Sequence, residues 1–209
     1  MSIKTSKILG GVGAILMFIG IIPVANSYAV LELIGLILVM VALYNLASYY
    51  TERGIFNNAL YGLIAGIVGG VAAVGTIFIS VLTSLTDFLM AIYPTWNGED
   101  WTALSGLTPD PANLSIEAIV PFLTGLFVAL LVLWVFAIIA TFFIRRSLIS
   151  LSAKSGIGLF STAGLLMLIG AVLIIALGVG LLLIWISTLI LAIAFFTMKP
   201  QEPQSAAPA

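Results

Sequence analysis

The sequence predicts an all-α, polytopic membrane protein with six transmembrane helices. Of its 209 residues, 62% are hydrophobic and only 7% are charged, whereas a soluble domain carries about 25% charged residues. A hydrocarbon core about 30 Å thick needs about 20 apolar residues for each helical crossing, and the apolar stretches provide room for six. These stretches lack a strict two-residue alternation, which favours helices over a β-barrel.

The basic residues predict the orientation of these helices. All seven lie in four places: before the first apolar run, between the second and third, from the end of the fourth to the start of the fifth, and after the last. They are Lys4, Lys7, Arg53, Arg145, Arg146, Lys154 and Lys199. Cytoplasmic loops of membrane proteins are enriched in Lys and Arg. We therefore expect a multi-pass protein of the cell membrane with its N- and C-termini in the cytoplasm.

The first two predicted helices cover residues 8–25 and 29–50, with a turn at residues 23–28. The third run covers residues 60–93 and the fourth covers 115–150. Each is longer than one crossing requires, so it must tilt, break or extend beyond the membrane. Pro121 could lie in the first turns of the fourth helix or kink it.

The remaining segments complete a single six-helix transmembrane domain over residues 1–198. Residues 94–114, acidic and without Lys or Arg, are predicted to lie outside the cell and include a possible glycosylation acceptor at Asn113. The fifth and sixth helices share residues 157–198, with a glycine-containing turn near Gly178. Residues 199–209, rich in Pro, Ala and Gln, predict a disordered cytoplasmic tail.

The two ends of the chain resemble each other. When the sequence is shifted by 150 positions, residues 4–49 give ten identities without gaps. The first and last helical hairpins are therefore predicted to be parallel copies, which agrees with their common predicted orientation.

The composition also limits the possible chemistry. The chain has no Cys and no His, which excludes disulfides, Cys–His and Ser–His–Asp catalysis, and conventional zinc and haem sites. The net charge of −1 does not suggest a nucleic-acid partner. We therefore expect no enzymatic activity, no cofactor and no metal.

Three polar residues form a candidate ion or solute site. Glu32 lies about one turn into the second helix, while Thr83 and Asp87 share a face of the outer half of the third helix. A carboxylate within a membrane helix is a functional hypothesis by default. The alternative is that these groups lie at the hydrated interface and mark helix ends.

Two further groups of residues have both a structural and a functional interpretation. Gly62, Gly66 and Gly70 recur every four residues, which allows close helix packing within the chain or between chains. Asn57 and Asn58 could cap the third helix or line a cytoplasmic vestibule.

Several sequence blocks are distinctive: Ser6 to Gly11, Ile19-Gly20, Tyr44 with Tyr49-Tyr50, Ile55-Phe56-Asn57-Asn58-Ala59-Leu60-Tyr61, and Ala192 to Phe196. With these blocks the chain resembles an uncharacterised, mainly archaeal family of membrane proteins, the domain-of-unknown-function family numbered 996. The resemblance implies a multi-helix membrane protein and brings no activity, ligand or catalytic residue.

Two functional hypotheses follow from the sequence. The first is an accessory or oligomeric scaffold component that acts by helix association in the lipid bilayer, with a second copy or another membrane protein as its partner. The alternative is a small transporter or channel for a cation or small solute, which would use Glu32 and the polar outer half of the third helix.

Overall fold

A computed structural model describes residues 3–20, 30–110, 116–175 and 178–199. In these residues the chain forms six α-helices, one 3-10 turn at Ala103–Gly106, and no strand, which confirms the all-α prediction. The helices are α1 Ile3–Gly20, α2 Val30–Tyr49, α3 Arg53–Ile92, α4 Ile116–Ser155, α5 Gly158–Leu173 and α6 Val179–Thr197. The predicted turn at 23–28, the acceptor Asn113 and tail residues 200–209 lie outside the described residues.

Five of the described helices are long and apolar enough to cross a membrane, by length and composition: α1, α2, α3, α4 and α6. The described part of α5 is shorter, at 16 residues. By contrast, α3 and α4 have 40 residues each, a contour length of about 60 Å. Both long runs are therefore continuous helices, and Pro121 lies inside α4, in its second turn.

The chain divides into two compact units, and α3 and α4 contribute to both. Unit 1 comprises residues 1–66 and 137–209, and unit 2 comprises residues 67–136. The single transmembrane domain over residues 1–198 stays a prediction.

Glycines bring the paired helices of unit 1 into backbone contact. A Cβ atom on Gly35 of α2 would lie 2.5 Å from the carbonyl oxygen of Gly13 in α1. In the same way, a Cβ atom on Gly170 of α5 would lie 2.7 Å from the carbonyl oxygen of Gly180 in α6. Small residues at such contacts allow membrane helices to approach closely. Each of the two hairpins, α1–α2 and α5–α6, thus contains a close contact between two glycines.

Two equivalent glycines of the predicted repeat face neighbouring parts of the helix that follows. Gly20 of α1 faces Glu32 of α2, and Gly170, which is 150 positions later, faces Gly180 and Ile184 of α6. These two α6 positions correspond to residues 30 and 34, which flank Glu32. In addition, Lys7 near the start of α1 contacts the end of α6. Since α5 is antiparallel to α6, α1 and α5 begin at the same end of unit 1, as parallel copies require.

Aromatic side chains join the two hairpins between α1, α5 and α6. The Trp185 and Phe18 rings stack with centroids 4.7 Å apart, and the Trp185 indole N–H donates to the Phe18 carbonyl at 2.9 Å. That carbonyl lies in the last turn of α1, where carbonyl groups lack an intrahelical donor unless the chain beyond supplies one. Deeper in the core, the buried Phe195 ring packs on Gly10 and makes an edge contact with Phe160 at 5.1 Å.

In unit 2, the segment after α3 folds back on the end of that helix. The Asp110 amide donates to the Ile92 carbonyl at 2.7 Å. The Trp96 side chain is buried, and its indole N–H donates to the Asp100 carbonyl at 2.7 Å. The Asp100 carboxylate accepts hydrogen bonds from the Thr102 hydroxyl at 2.6 Å and the Thr102 amide at 2.9 Å. The predicted outer segment is therefore an ordered loop wherever it is described.

This loop is expected to loosen at acid pH. The hydrogen bonds from the Thr102 hydroxyl and amide lower the pKa of Asp100 below its ordinary value of 3.8. A carboxyl group with a depressed pKa stabilises the folded loop above its ordinary pKa, and this stabilisation is lost as the pH falls through the lower folded value. Tryptophan fluorescence during an acid titration should report this loosening. Asparagine cannot ionise, so Asp100→Asn should show a smaller fluorescence change on acidification than the natural chain. Identical titration curves for the two proteins would contradict the role of Asp100.

Candidate functional site at the basic end of unit 1

Basic residues from several helices gather at one end of unit 1. The Lys7 ammonium donates at 3.0 Å to the carbonyl of Met198, the residue that precedes Lys199 in the sequence. The Lys154 ammonium lies 3.6 Å from the carboxylate of Glu52, the residue that precedes Arg53 in the sequence. Antiparallel packing within each hairpin brings the start of α1, the end of α2, the start of α5 and the end of α6 to this same end. Residues that are far apart in the sequence thus lie at the same end of unit 1.

The turn from α2 into α3 has a strained residue at its centre. The Glu52 amide donates to the Ala47 carbonyl at 2.9 Å, and the Thr51 amide donates to the Ser48 carbonyl at 3.3 Å. This pair of hydrogen bonds defines a Schellman ending, whose left-handed position usually holds glycine. Here Thr51 occupies it with φ of 52°. Left-handed backbone at a β-branched residue is strained, and such strain concentrates at ligand-binding sites.

Glu52 directly precedes α3, and each of its carboxylate oxygens has a partner. One of its carboxylate oxygens accepts a hydrogen bond from the Gly54 amide at 3.3 Å, and the other faces Lys154. The start of α3 is also held by α4, because the buried Ser147 hydroxyl donates to the Ile55 carbonyl at 2.5 Å. These contacts hold the turn and the first residues of α3 against the end of α4.

A cavity of about 660 Å³ opens beside this turn. It is lined by residues from the end of α2, the turn and the start of α3: Tyr44, Ala47, Ser48, Thr51, Arg53, Phe56 and Asn57. The Tyr44 and Phe56 rings meet edge to face at 5.1 Å and form its aromatic wall. Arg53 is the one charged residue of the lining, so the cavity combines a positive charge with aromatic and small side chains.

A smaller cavity of about 290 Å³ lies between the start of α1 and the end of α6. Its lining includes two basic residues, Lys4 and Lys7, with Ile3, Ile8 and Met198. Neither of the two cavities includes Glu32, Thr83 or Asp87.

The two asparagines predicted at this end have different surroundings. The Asn58 side-chain amide donates to the Gly54 carbonyl at 2.8 Å, within the first turns of α3. Asn57 is exposed and lines the larger cavity. Its side chain forms no hydrogen bond with the residues that the structure describes.

The residues of the candidate ion site belong to different units. Glu32 is half-buried in the first turn of α2, in unit 1. Thr83 and Asp87 are exposed on α3, in unit 2. The Thr83 hydroxyl donates to the Ile79 and Ser80 carbonyls of its own helix, at 3.0 Å and 3.2 Å. Their role in ion or solute binding stays a prediction.

The glycines of the predicted packing stripe also differ from one another. A Cβ atom on Gly62 would lie 2.8 Å from the Ala140 carbonyl oxygen, so this glycine packs closely on α4. Gly66 and Gly70 have open space where their Cβ atoms would be. Gly69, outside the four-residue spacing, packs against Phe136.

A family described as "Protein of unknown function (DUF996)" matches residues 31–189. The chain belongs to this family. The DUF996 match begins within α2 and ends within α6. It therefore includes the whole lining of the larger cavity.

One relative of this DUF996 protein is the uncharacterized protein MJ1644 of Methanocaldococcus jannaschii. It is 26% identical over 201 residues, which cover 95% of this chain and 94% of the relative. No solved structure matches the chain.

Sequence reasoning identified Asn57 but missed two other residues of the cavity, Thr51 and Arg53. Arg53 was used only to predict the orientation of the helices, and Thr51 carried no functional prediction. The clearest signal was the polar run from Thr51 to Gly54 between two apolar runs. A turn shorter than most helix connections forces its side chains into one small region.

Proposed function

We propose that this DUF996 protein is a non-enzymatic, multi-pass protein of the cell membrane that functions by self-association of its helices. In this proposal the basic end of unit 1 faces the cytoplasm, as the distribution of Lys and Arg favours. The proposal is supported mainly by the exposed side of α3 in unit 2.

The two helices of unit 2 bury almost nothing but small residues against each other. Among the side chains described there, the buried helical residues are Gly69, Ala73, Ser84, Gly125 and Ala129. The Gly125 backbone packs directly on Ser80, and Gly69 packs on Phe136. Many large apolar side chains of these helices are consequently exposed.

Four of these large side chains form a seam along α3. Ile67, Val71, Val74 and Phe78 are 57%, 68%, 67% and 62% exposed. Their spacing of four, three and four residues is the spacing of a coiled-coil seam, in which side chains of one helix enter holes on another. We take this seam as the surface on which a second copy of the chain packs, related by a two-fold axis along the membrane normal.

Cysteine cross-linking in the membrane tests this association. The natural chain has no Cys, so each introduced cysteine is unique. Val71→Cys and Val74→Cys are expected to give disulfide-linked dimers on mild oxidation, because residues near a two-fold axis approach their own copies. The bridge requires Cα atoms about 4.4–6.8 Å apart.

Ile79→Cys is the matched control, since Ile79 is 63% exposed but lies about 110° around the helix from the centre of the seam. It is expected to remain monomeric under the same conditions. The proposal fails if neither seam cysteine forms a dimer, or if Ile79→Cys forms dimers as readily as the seam positions.

A further inference from the structure

We propose that the cavity at the α2–α3 turn is a binding site for the anionic phosphate headgroup of a membrane lipid, with Arg53 and Asn57 as its main hydrogen-bond donors. This inference uses the placement of the basic end at the headgroup level, as in the proposed function, but it does not depend on self-association.

The charge of the cavity is suited to an anion. Arg53 contributes a guanidinium to the lining, and no carboxylate contributes to it. The nearest carboxylate along the chain, that of Glu52, already binds Lys154 and the Gly54 amide. Within the described part of the chain, Arg53 has no carboxylate partner. The ion pair between Glu52 and Lys154 thus leaves the neighbouring guanidinium available.

The hydrogen-bonding groups are suited to a phosphate ester. The planar guanidinium of arginine can donate two parallel hydrogen bonds to phosphate oxygens. Asn57 adds a side-chain amide that forms no hydrogen bond with the described residues. The amide of Asn58, by contrast, donates to the Gly54 carbonyl. The hydroxyl hydrogens of Ser48 and Thr51 are directed to the carbonyls of Tyr44 and Tyr50, at 3.3 Å and 2.7 Å. This leaves Arg53 and Asn57 as the principal donors for an anion.

The size and walls of the cavity favour a lipid over free phosphate. The cavity is open to the surroundings, and its volume of about 660 Å³ leaves room for more than a phosphate group, since sites for small organic molecules measure about 300–1,000 Å³. Beyond the Tyr44 ring, the same face of α2 continues as a stripe of exposed apolar side chains, Val41, Ile37, Ile34 and Val30. From Tyr44 to Val30 this stripe is about 21 Å long, more than one half of a hydrocarbon core about 30 Å thick. An acyl chain can therefore lie along α2 while its phosphate lies at Arg53.

Lipid retention by the purified full-length protein tests this site. The protein in detergent is mixed with equal amounts of phosphatidylglycerol and phosphatidylcholine, and the retained lipid is identified by native mass spectrometry. We expect the natural chain to retain phosphatidylglycerol preferentially. Arg53→Gln should reduce this retention about tenfold, the effect of losing one charge-assisted contact.

Two further variants distinguish binding at the cavity from general attraction of the lipid to basic residues. Arg146→Gln removes the same charge from an exposed arginine that lies 5.5 Å from the Phe142 ring and outside the cavity. It should change phosphatidylglycerol retention less than about twofold. Asn57→Leu leaves the charge unchanged and replaces an exposed side chain, so it should weaken retention without disturbing the fold.

Three outcomes would overturn the assignment. Equal losses in Arg53→Gln and Arg146→Gln would indicate general attraction to basic charge. Unchanged retention in both Arg53→Gln and Asn57→Leu would show that the cavity binds no headgroup. Equal retention of phosphatidylglycerol and phosphatidylcholine, together with binding of inorganic phosphate that Arg53→Gln abolishes, would identify the ligand as soluble phosphate rather than lipid.

Discussion

Replacing Gly35 by alanine is expected to lower the free energy of unfolding by about 2–3 kcal/mol, because overpacking at this position cannot be relieved by side-chain movement. The added Cβ atom would lie 2.5 Å from the Gly13 carbonyl oxygen and 2.8 Å from the Met17 backbone nitrogen. Both are main-chain atoms of α1, so the two helices must separate to make room. Separation would also weaken the other contacts along the α1–α2 hairpin.

Denaturant titration in detergent, followed by circular dichroism, would measure this loss. Gly66→Ala is the matched control, because a Cβ atom at Gly66 meets nothing within 4 Å and alanine favours helix by about 0.5–1 kcal/mol over glycine. We expect Gly66→Ala to leave stability unchanged or slightly increased. Equal destabilisation by both substitutions would mean that glycine acts here through backbone flexibility rather than through close packing.

Replacing Phe195 by alanine is expected to destabilise unit 1 by about 3 kcal/mol, the lower end of the usual cost for a buried phenylalanine. The ring is fully buried, packs directly over Gly10 and contacts the Phe160 ring edge to face. Gly10 has no side chain that could move into the space. The resulting cavity would thus remove contacts between α6 and both α1 and α5.

The same unfolding measurement applies to Phe195→Ala, with Phe127→Ala as its control. Phe127 is 61% exposed on α4, so its removal should cost well under 1 kcal/mol. A thermal scan would add a second observable, since loss of the Phe195 contacts should lower the unfolding temperature while leaving helix content at low temperature unchanged. Equal effects of the two substitutions would contradict the central role of Phe195.

The helices were predictable because each carries its own signal. The long third and fourth runs correspond to α3 and α4, which remain helical through their full lengths. Their boundaries were less predictable. The third helix begins at Arg53 rather than near Leu60, because the Glu52 carboxylate accepts the Gly54 amide hydrogen and Asn58 binds the Gly54 carbonyl. Polar residues that suggested a loop are therefore the first turns of a helix.

The glycine stripe shows that sequence periodicity predicts the side of a helix on which a residue lies but not the neighbour that it contacts. Spacing of four residues places Gly62, Gly66 and Gly70 on one side of a helix. It does not specify which neighbour lies there, and only Gly62 of these three contacts a backbone. The glycine pairs that join the hairpins, such as Gly13 with Gly35, belong to different helices, so no single-helix pattern identifies them.

The sequence by itself determined the helical class, the order of the helices and the grouping of basic residues between particular apolar runs. These properties are local, since they depend on hydropathy and composition within windows of about 20 residues. Only the tertiary structure decided which glycines meet a backbone, that Lys154 binds Glu52 across about 100 residues of chain, and that Arg53 faces a cavity. Those features depend on contacts between distant segments, and helix packing rather than local propensity sets such contacts.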